Sequence, residues 1–212
     1  MELWDFAALT YYRVLDLFSG SLNRLAIAEL ELEPGQAVLD IGCGTGGSIS
    51  ALAEAVGPEG RVVAMDASPR MVAVARKRAR KWPNVEVRQA DACTTDHGAG
   101  EFDAAIAFGA FSAMPDVPAA LANAADALRP GGRLFVFDMR LVKKTRTTRF
   151  LRAAYRRIAG FSGADVVAEL RKVFGQVEPV FAVEGETTTV VMARKVTGTA
   201  TRSAGTPSRP AG

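Results

Sequence analysis

Apolar and polar positions along this chain follow two periods, and together they divide it into strands and helices. Ala37-Val38-Leu39-Asp40-Ile41 is an apolar run broken by one carboxylate, as in a strand buried on both faces of a parallel sheet. Arg61 to Met65, closing with Asp66, reads as a second strand. Val85 to Gln89 alternates apolar with polar and predicts a strand near a sheet edge. Ala104 to Phe108, with Asp103 at its start, and Arg133 to Asp138 read as the fourth and fifth, the fifth preceded by a tight turn at Arg129-Pro130-Gly131-Gly132.

Helical spacing fills the intervals. From Gly46 to about Val56, Ile49, Leu52, Ala53 and Val56 share one face. Ser68 as N-cap and Pro69 at the first helical position open a helix to about Lys81. Pro115-Asp116 precedes a helix with Val117, Leu121, Ala124, Ala125 and Leu128 on one face, and another is expected near Gly163 to Phe174. Ahead of the first strand, two helices are expected between Asp5 and about Leu30, broken at Ser19-Gly20-Ser21. The second carries Leu22, Leu25, Ala26, Glu29 and Leu30 on one face. Val177 to Val183 and Thr187 to Arg194 read as closing strands joined by Glu184-Gly185-Glu186. That link is too short for a parallel crossover and predicts an antiparallel hairpin. The expected architecture is α/β: a mostly parallel seven-stranded sheet ending in an antiparallel hairpin, with helices on both faces. The expected organisation is a helical cover over residues 1–32, one domain over 33–195, and a disordered tail over 196–212, rich in Gly, Ser, Thr and Pro.

Composition narrows the function classes. The 49% hydrophobic content suits a packed core, and no run of eighteen apolar residues predicts a membrane span. The amino terminus lacks the basic start and apolar core of a signal peptide, and Cys43 and Cys93 form no disulfide framework, so a reducing, cytoplasmic location is expected. With His97 as the single histidine and no Cys-x-x-Cys pair, no metal site is expected. The net charge is +3, yet Arg140 to Arg157 holds eight basic residues and no acid, so the remainder of the chain is net negative. The basic character is local and does not imply a nucleic-acid partner.

The first strand runs into Gly42-Cys43-Gly44-Thr45-Gly46-Gly47. Gly42, Gly44 and Gly47 satisfy the dinucleotide pattern G-x-G-x-x-G, which alone is weak. Asp40, Gly42, Gly44 and Gly46 satisfy D-x-G-x-G-x-G. Three further landmarks follow in order: the acidic strand end at Asp66, Ala90-Asp91-Ala92 after the third strand, and Leu128-Arg129-Pro130-Gly131-Gly132-Arg133 before the fifth. Over about Glu33 to Lys195 the chain resembles the class I, Rossmann-like S-adenosylmethionine (SAM)-dependent methyltransferases. Within them it is similar to the ubiquinone/menaquinone-biosynthesis type and its small-molecule and phospholipid relatives.

That resemblance implies a SAM site at the carboxyl ends of the strands. Gly42, Gly44 and Gly46 would lie against the methionine portion, and Asp40 would help hold its ammonium, directly or through water. Asp66, with Ala67 beside it, would accept hydrogen bonds from both ribose hydroxyls; the other role open to Asp66 is helix capping with Ser68. Asp91 would bind the adenine amino group with Ala92 beside the ring, or serve as a turn aspartate. Phe108 and Gly109 would face the methionine side and Met71 the adenine or ribose edge, although core packing accounts for Met71 and Phe108 equally well. Tyr11 or Tyr12 would fold over the cofactor or pack between helices. Cys43 and Cys93 read as small space-fillers.

Catalytic groups are thinly marked. Many relatives carry a histidine after the fourth strand, where this chain has Gly109-Ala110-Phe111-Ser112-Ala113-Met114. His97 is the remaining imidazole, and its plainer reading is an exposed loop histidine. Asp138 and Arg140 could orient an acceptor or form a strand-end salt bridge. Arg149, Arg152, Arg156 and Arg157 lie on a segment whose other face is Phe150, Leu151, Ala154, Tyr155 and Ile158. Such a helix could meet an anionic membrane surface or an acidic substrate, or pack as a solvated helix. Three functions are consistent with these features: methylation of a small acceptor such as a quinone precursor or secondary metabolite, phospholipid N-methylation at a membrane surface, and SAM binding without methyl transfer. Nothing in the sequence sets an oligomeric state.

Overall fold

The computed structural model describes residues 20–139, 164–180 and 188–195. Expectations outside those residues concern the first amino-terminal helix with Tyr11 and Tyr12, Arg140, the basic segment with Arg149, Arg152, Arg156 and Arg157, the hairpin link and the tail.

Seven strands form one sheet: β1 (Ala37–Ile41), β2 (Arg61–Asp66), β3 (Val85–Gln89), β4 (Phe102–Phe108), β5 (Leu128–Met139), β6 (Gln176–Pro179) and β7 (Thr188–Arg194). Their order is β3-β2-β1-β4-β5-β7-β6. The first five are parallel, and β7 runs antiparallel to both β5 and β6. This is the expected sheet, with β3 at the edge. All five residues of β1 are buried, which follows from its central place and covered faces.

Helices α1 (residues 20–30), α2 (Ile49–Val56) and α3 (Pro69–Ala79) cover one face. Ala26, Leu30, Leu52 and Val56 pack there with Val38, Val62, Ala104, Ile106 and Phe135, and α3 joins through Ala75 and Ala79 against Ile49 and Ala64. Helices α4 (Val117–Ala127) and α5 (Val166–Val173) cover the other, where Leu121, Ala124 and Leu170 meet Leu39, Ile41 and Val63. Burying each large aliphatic side chain contributes roughly 1.5–3 kcal/mol. Caps fall where the sequence places them: Ser68 Oγ accepts from Met71 N and Asp116 from Ala119 N, while Asp165 adds a third at Ala168 N.

Several boundaries differ from expectation for identifiable reasons. Gly20 and Ser21 open α1, and the rest of the expected break, at Ser19, lies outside the described residues. On α1 the buried stripe is Asn23, Ala26 and Leu30, with Glu29 exposed and Leu22 only partly buried. The sheet thus selects a stripe rotated from the expected one. Helix α2 starts at Ile49 rather than Gly46, because the glycine turn, with Gly46 at φ 81°, must finish first. Helix α3 ends at Ala79, two residues before Lys81. Strand β4 starts at Phe102, since Asp103 Oδ2 accepts from Ala37 N at 2.8 Å and draws that segment alongside β1. Leu128 leaves α4 in an extended conformation and begins β5. The Arg129–Gly132 turn becomes a bulge within β5, where the register jumps from Phe102↔Leu128 to Ala104↔Arg133. The backbone there is held by Gly131 N to Lys195 O and Lys195 N to Gly132 O, each 2.9 Å. Helix α5 spans Val166–Val173, with Phe174 already extended. Among the described residues no helix is long and apolar enough to cross a membrane.

Candidate active site at the carboxyl ends of the strands

The parallel register brings the ends of β1, β2 and β4 level, and the chain turns sharply as it leaves β1. Gly42 has φ 67°, and a Cβ there would lie 2.6 Å from Ala110 Cβ beyond β4. At Gly46 a Cβ would meet Ile49 Cδ1 at 2.6 Å and Ala75 Cα at 3.2 Å. Any side chain at these two positions would therefore force β4 or α3 away from the turn. Cys43 N donates to Met65 O at 2.8 Å, which carries the β1–β2 ladder into the loop.

Asp66 closes this turn from β2. Its Oδ2 accepts from Gly44 N at 2.9 Å and its Oδ1 from Ser68 N at 2.8 Å. Burial raises its pKa above the usual carboxylate value, and the two N–H donors oppose that shift. Helix capping belongs to Ser68; Asp66 instead ties the β2 end to the glycine loop. Each carboxylate oxygen keeps a further lone pair for a second donor.

Asp40 lies deeper, 2% exposed, and its Oδ2 accepts from Ser48 Oγ. Burial pushes its pKa up to about 7, Ser48 lowers it, and the nearby Asp66 charge adds to the rise. Such a group holds its proton loosely near neutrality, and a cation beside it would drive the proton off. Cys43 is buried, and burial first, then the charges of Asp40 and Asp66, holds its thiol far above the ordinary range. It fills space and is no nucleophile.

Beyond β3, Ala90 N donates to Asp66 O at 3.1 Å, which sets Asp91 beside the end of β2. Asp91 is exposed, and its Oδ1 accepts from Cys93 N at 2.9 Å in a side-chain turn. Ala92 is buried, and its carbonyl accepts from Asn123 Nδ2 at 2.9 Å. Met71 is buried on α3 and Ala67 is exposed next to Asp66. Phe108 is partly buried, edge-on to Phe135 at 5.9 Å, and Gly109 N donates to Phe137 O at 2.7 Å. Asp138, at the end of β5, is buried and accepts from Ser112 N at 3.0 Å, so it holds the 3-10 turn Phe111–Ala113.

His97 departs from expectation: it is buried, 6% exposed. Burial, then the Arg88 charge, lowers its pKa, with Asp96 opposing. Three residues on, Gly100 N donates to Asp126 O at the far end of α4, so this loop is heading to the opposite end of the sheet, where β4 and β5 begin. One residue that touches the glycine loop is not among those singled out from the sequence. Asn23 of α1 is buried, and its Nδ2 donates to Gly47 O at 3.0 Å, so α1 is fastened to the glycine loop. A polar residue in the stripe of Ala26 and Leu30 is the single clue, legible once the buried face of α1 is known.

Residues 38–132 match the methyltransferase-domain family Methyltransf_25. This span runs from β1 through the glycine loop, Asp66 and Asp91 to the β5 bulge. Over residues 38–132 the chain is thus similar to methyltransferase domains. A 2-phytyl-1,4-naphtoquinone methyltransferase of Thermosynechococcus vestitus is 35% identical over 141 residues, 64% of this chain and 62% of that protein. Aklanonic acid methyltransferase DauC of Streptomyces sp. (strain C5) is 36% identical over 137 residues, 63% of this chain and 61% of that one. The chain thus spans about three fifths of the length of these curated relatives. The solved YcgJ protein of Bacillus subtilis shares the fold. Its TM-score is 0.71 at 18% identity, covering 83% of this chain and 98% of that one. The architecture is that of the class I, Rossmann-like methyltransferases, as the landmarks imply.

Proposed function

We propose that the protein transfers a methyl group from S-adenosyl-L-methionine to a small organic acceptor. The observation that carries this reading is the join of Asp66 to the glycine loop, which sets a partly buried carboxylate beside a turn whose Gly42, Gly44 and Gly46 carry no side chain. The residues suit the cofactor. Asp66 has lone pairs left for a vicinal diol, Asp40 is a buried acid poised to ionise beside an ammonium, and the Ala92 backbone flanks the place of a base with Asp91 at its rim. The cofactor, when bound, supplies a methyl on a positively charged sulfur, ready for in-line displacement.

The protein's part is then chiefly positional. Asp66 holds the ribose end, and the glycine turn with Asp40 the amino-acid end, while Gly109 and the turn held by Asp138 border the space left for an acceptor. With His97 buried beside Arg88 and Asp96, no imidazole is assigned as base. An acceptor that loses no proton, or is already ionised, requires none. The quinone- and polyketide-type names of the relatives support a small-molecule acceptor; the phospholipid reading rests on arginines outside the described residues.

Calorimetry of SAM and S-adenosylhomocysteine against wild type and Asp66→Ala tests the reading. Micromolar-range binding, weakened about tenfold or more in the variant, is expected. A well-folded wild type that binds neither compound overturns it.

A further inference from the structure

The glycine loop is held by a residue that none of the family landmarks includes. Ala26 and Leu30 lay α1 on the sheet, and Asn23, one turn earlier in the same stripe, reaches Gly47. The carbonyl of Gly47 can only accept, so Nδ2 must face it and the position of Oδ1 is set. That oxygen is buried and, among the described residues, has no hydrogen-bond partner. Buried side-chain acceptors are rarely left in that condition.

Gly47 is followed directly by Ser48, which donates to Asp40. Asn23 Oδ1 and the Asp40 carboxylate are therefore two buried acceptors anchored to consecutive residues of one loop. Among the described residues Asn23 bonds to Gly47 and Asp40 to Ser48, and no lysine or arginine bonds to either. Two such acceptors suit a ligand bearing a small cationic donor. An ammonium has three N–H bonds to give, and neither a ribose nor a base would bring such a charge.

We propose that Asn23 is a cofactor-binding residue whose Oδ1 accepts a hydrogen bond from the ammonium of the cofactor's amino-acid end, sharing that group with Asp40. This rests on the cofactor reading above. It makes α1 part of the site: the same amide that fastens the loop also reads the ligand.

The test compares two ligands, S-adenosylhomocysteine and 5′-methylthioadenosine, which has the adenosine thioether but no amino-acid end. Titration calorimetry on wild type and Asn23→Ala is expected to show at least tenfold weaker S-adenosylhomocysteine binding in the variant, with 5′-methylthioadenosine changed less than twofold. Equal weakening of both ligands would mean that Asn23 does not act at the amino-acid end, and would overturn the proposal. So would unchanged binding of both, with the cofactor reading left standing. Wild type that binds neither compound removes that reading and the proposal together. A measurement on wild type covers the case of a variant that does not fold. The Asn23 side-chain amide resonances should shift on adding S-adenosylhomocysteine and stay in place with 5′-methylthioadenosine; a shift of the same size with both would refute the proposal.

Discussion

Asp66 Oδ2 accepts the Gly44 N–H at 2.9 Å, a bond between the end of β2 and the middle of the turn that follows β1. It joins two segments 22 residues apart in sequence and makes one carboxylate both a structural tie and a ligand acceptor. Removing it should therefore affect two properties. Asp66→Ala is expected to destabilise the apoprotein by about 1–3 kcal/mol and to weaken SAM at least tenfold. Asp66→Asn, which keeps an acceptor oxygen, should recover part of the stability and less of the binding. Urea unfolding alongside calorimetry separates the two; equal recovery of both would show that the tie alone matters.

Asp40 makes ligand binding depend on pH. Its pKa in the fold, about 7, lies above its ordinary value of 3.8, so folding favours its protonated form. The favourable side of this is present at low pH and is lost as pH rises from about 4 through 7. Above pH 7 the ionised group costs the apoprotein on the order of 4 kcal/mol. Asp40→Asn should thus gain stability relative to wild type as pH is raised from 5 to 8. Binding of a cationic group favours the ionised acid, so wild type should bind S-adenosylhomocysteine more tightly at pH 8 than at pH 6 and release a proton on binding at pH 6.5. Titrations in buffers of different ionisation enthalpy measure that proton; none released would contradict the assignment.

Gly46 and Gly131 have the same φ, 81°, but different surroundings. A Cβ on Gly46 meets Ile49 and Ala75, whereas one on Gly131 meets nothing within 4 Å. Gly131→Ala should cost about 1–2 kcal/mol from backbone strain alone. Gly46→Ala should cost clearly more and should also weaken SAM, because α2 and α3 must part to admit the methyl. Thermal unfolding of both variants checks the order.

The two thiols should differ in reactivity. Cys43 is buried beside Asp40 and Asp66, and its thiol is held protonated; Cys93 is partly exposed, with a smaller rise caused first by burial. With iodoacetamide at pH 8, mass spectrometry should find Cys93 labelled slowly and Cys43 unlabelled until urea unfolds the chain. Rapid labelling of native Cys43 would contradict the packing described for the loop.

Much of this protein is legible in the chain itself. Strand order along the sequence, the edge position of β3, the closing antiparallel strands and the Ser68 and Asp116 caps follow from local rules of periodicity and capping. So does the glycine turn, because its backbone demands are local. The rest depended on contacts distant in sequence. Burial of His97 follows from where its loop crosses the molecule, and the β5 bulge from pairing with Lys195 just after β7. The stripe that α1 buries is set by the shape of the sheet face it meets, since a helix with several apolar positions can be rotated at little local cost. That rotation puts Asn23 on the glycine loop, and the pairing of β1 with β2 brings Asp66 to Gly44: local patterning specifies which elements form, while packing decides which side chains meet.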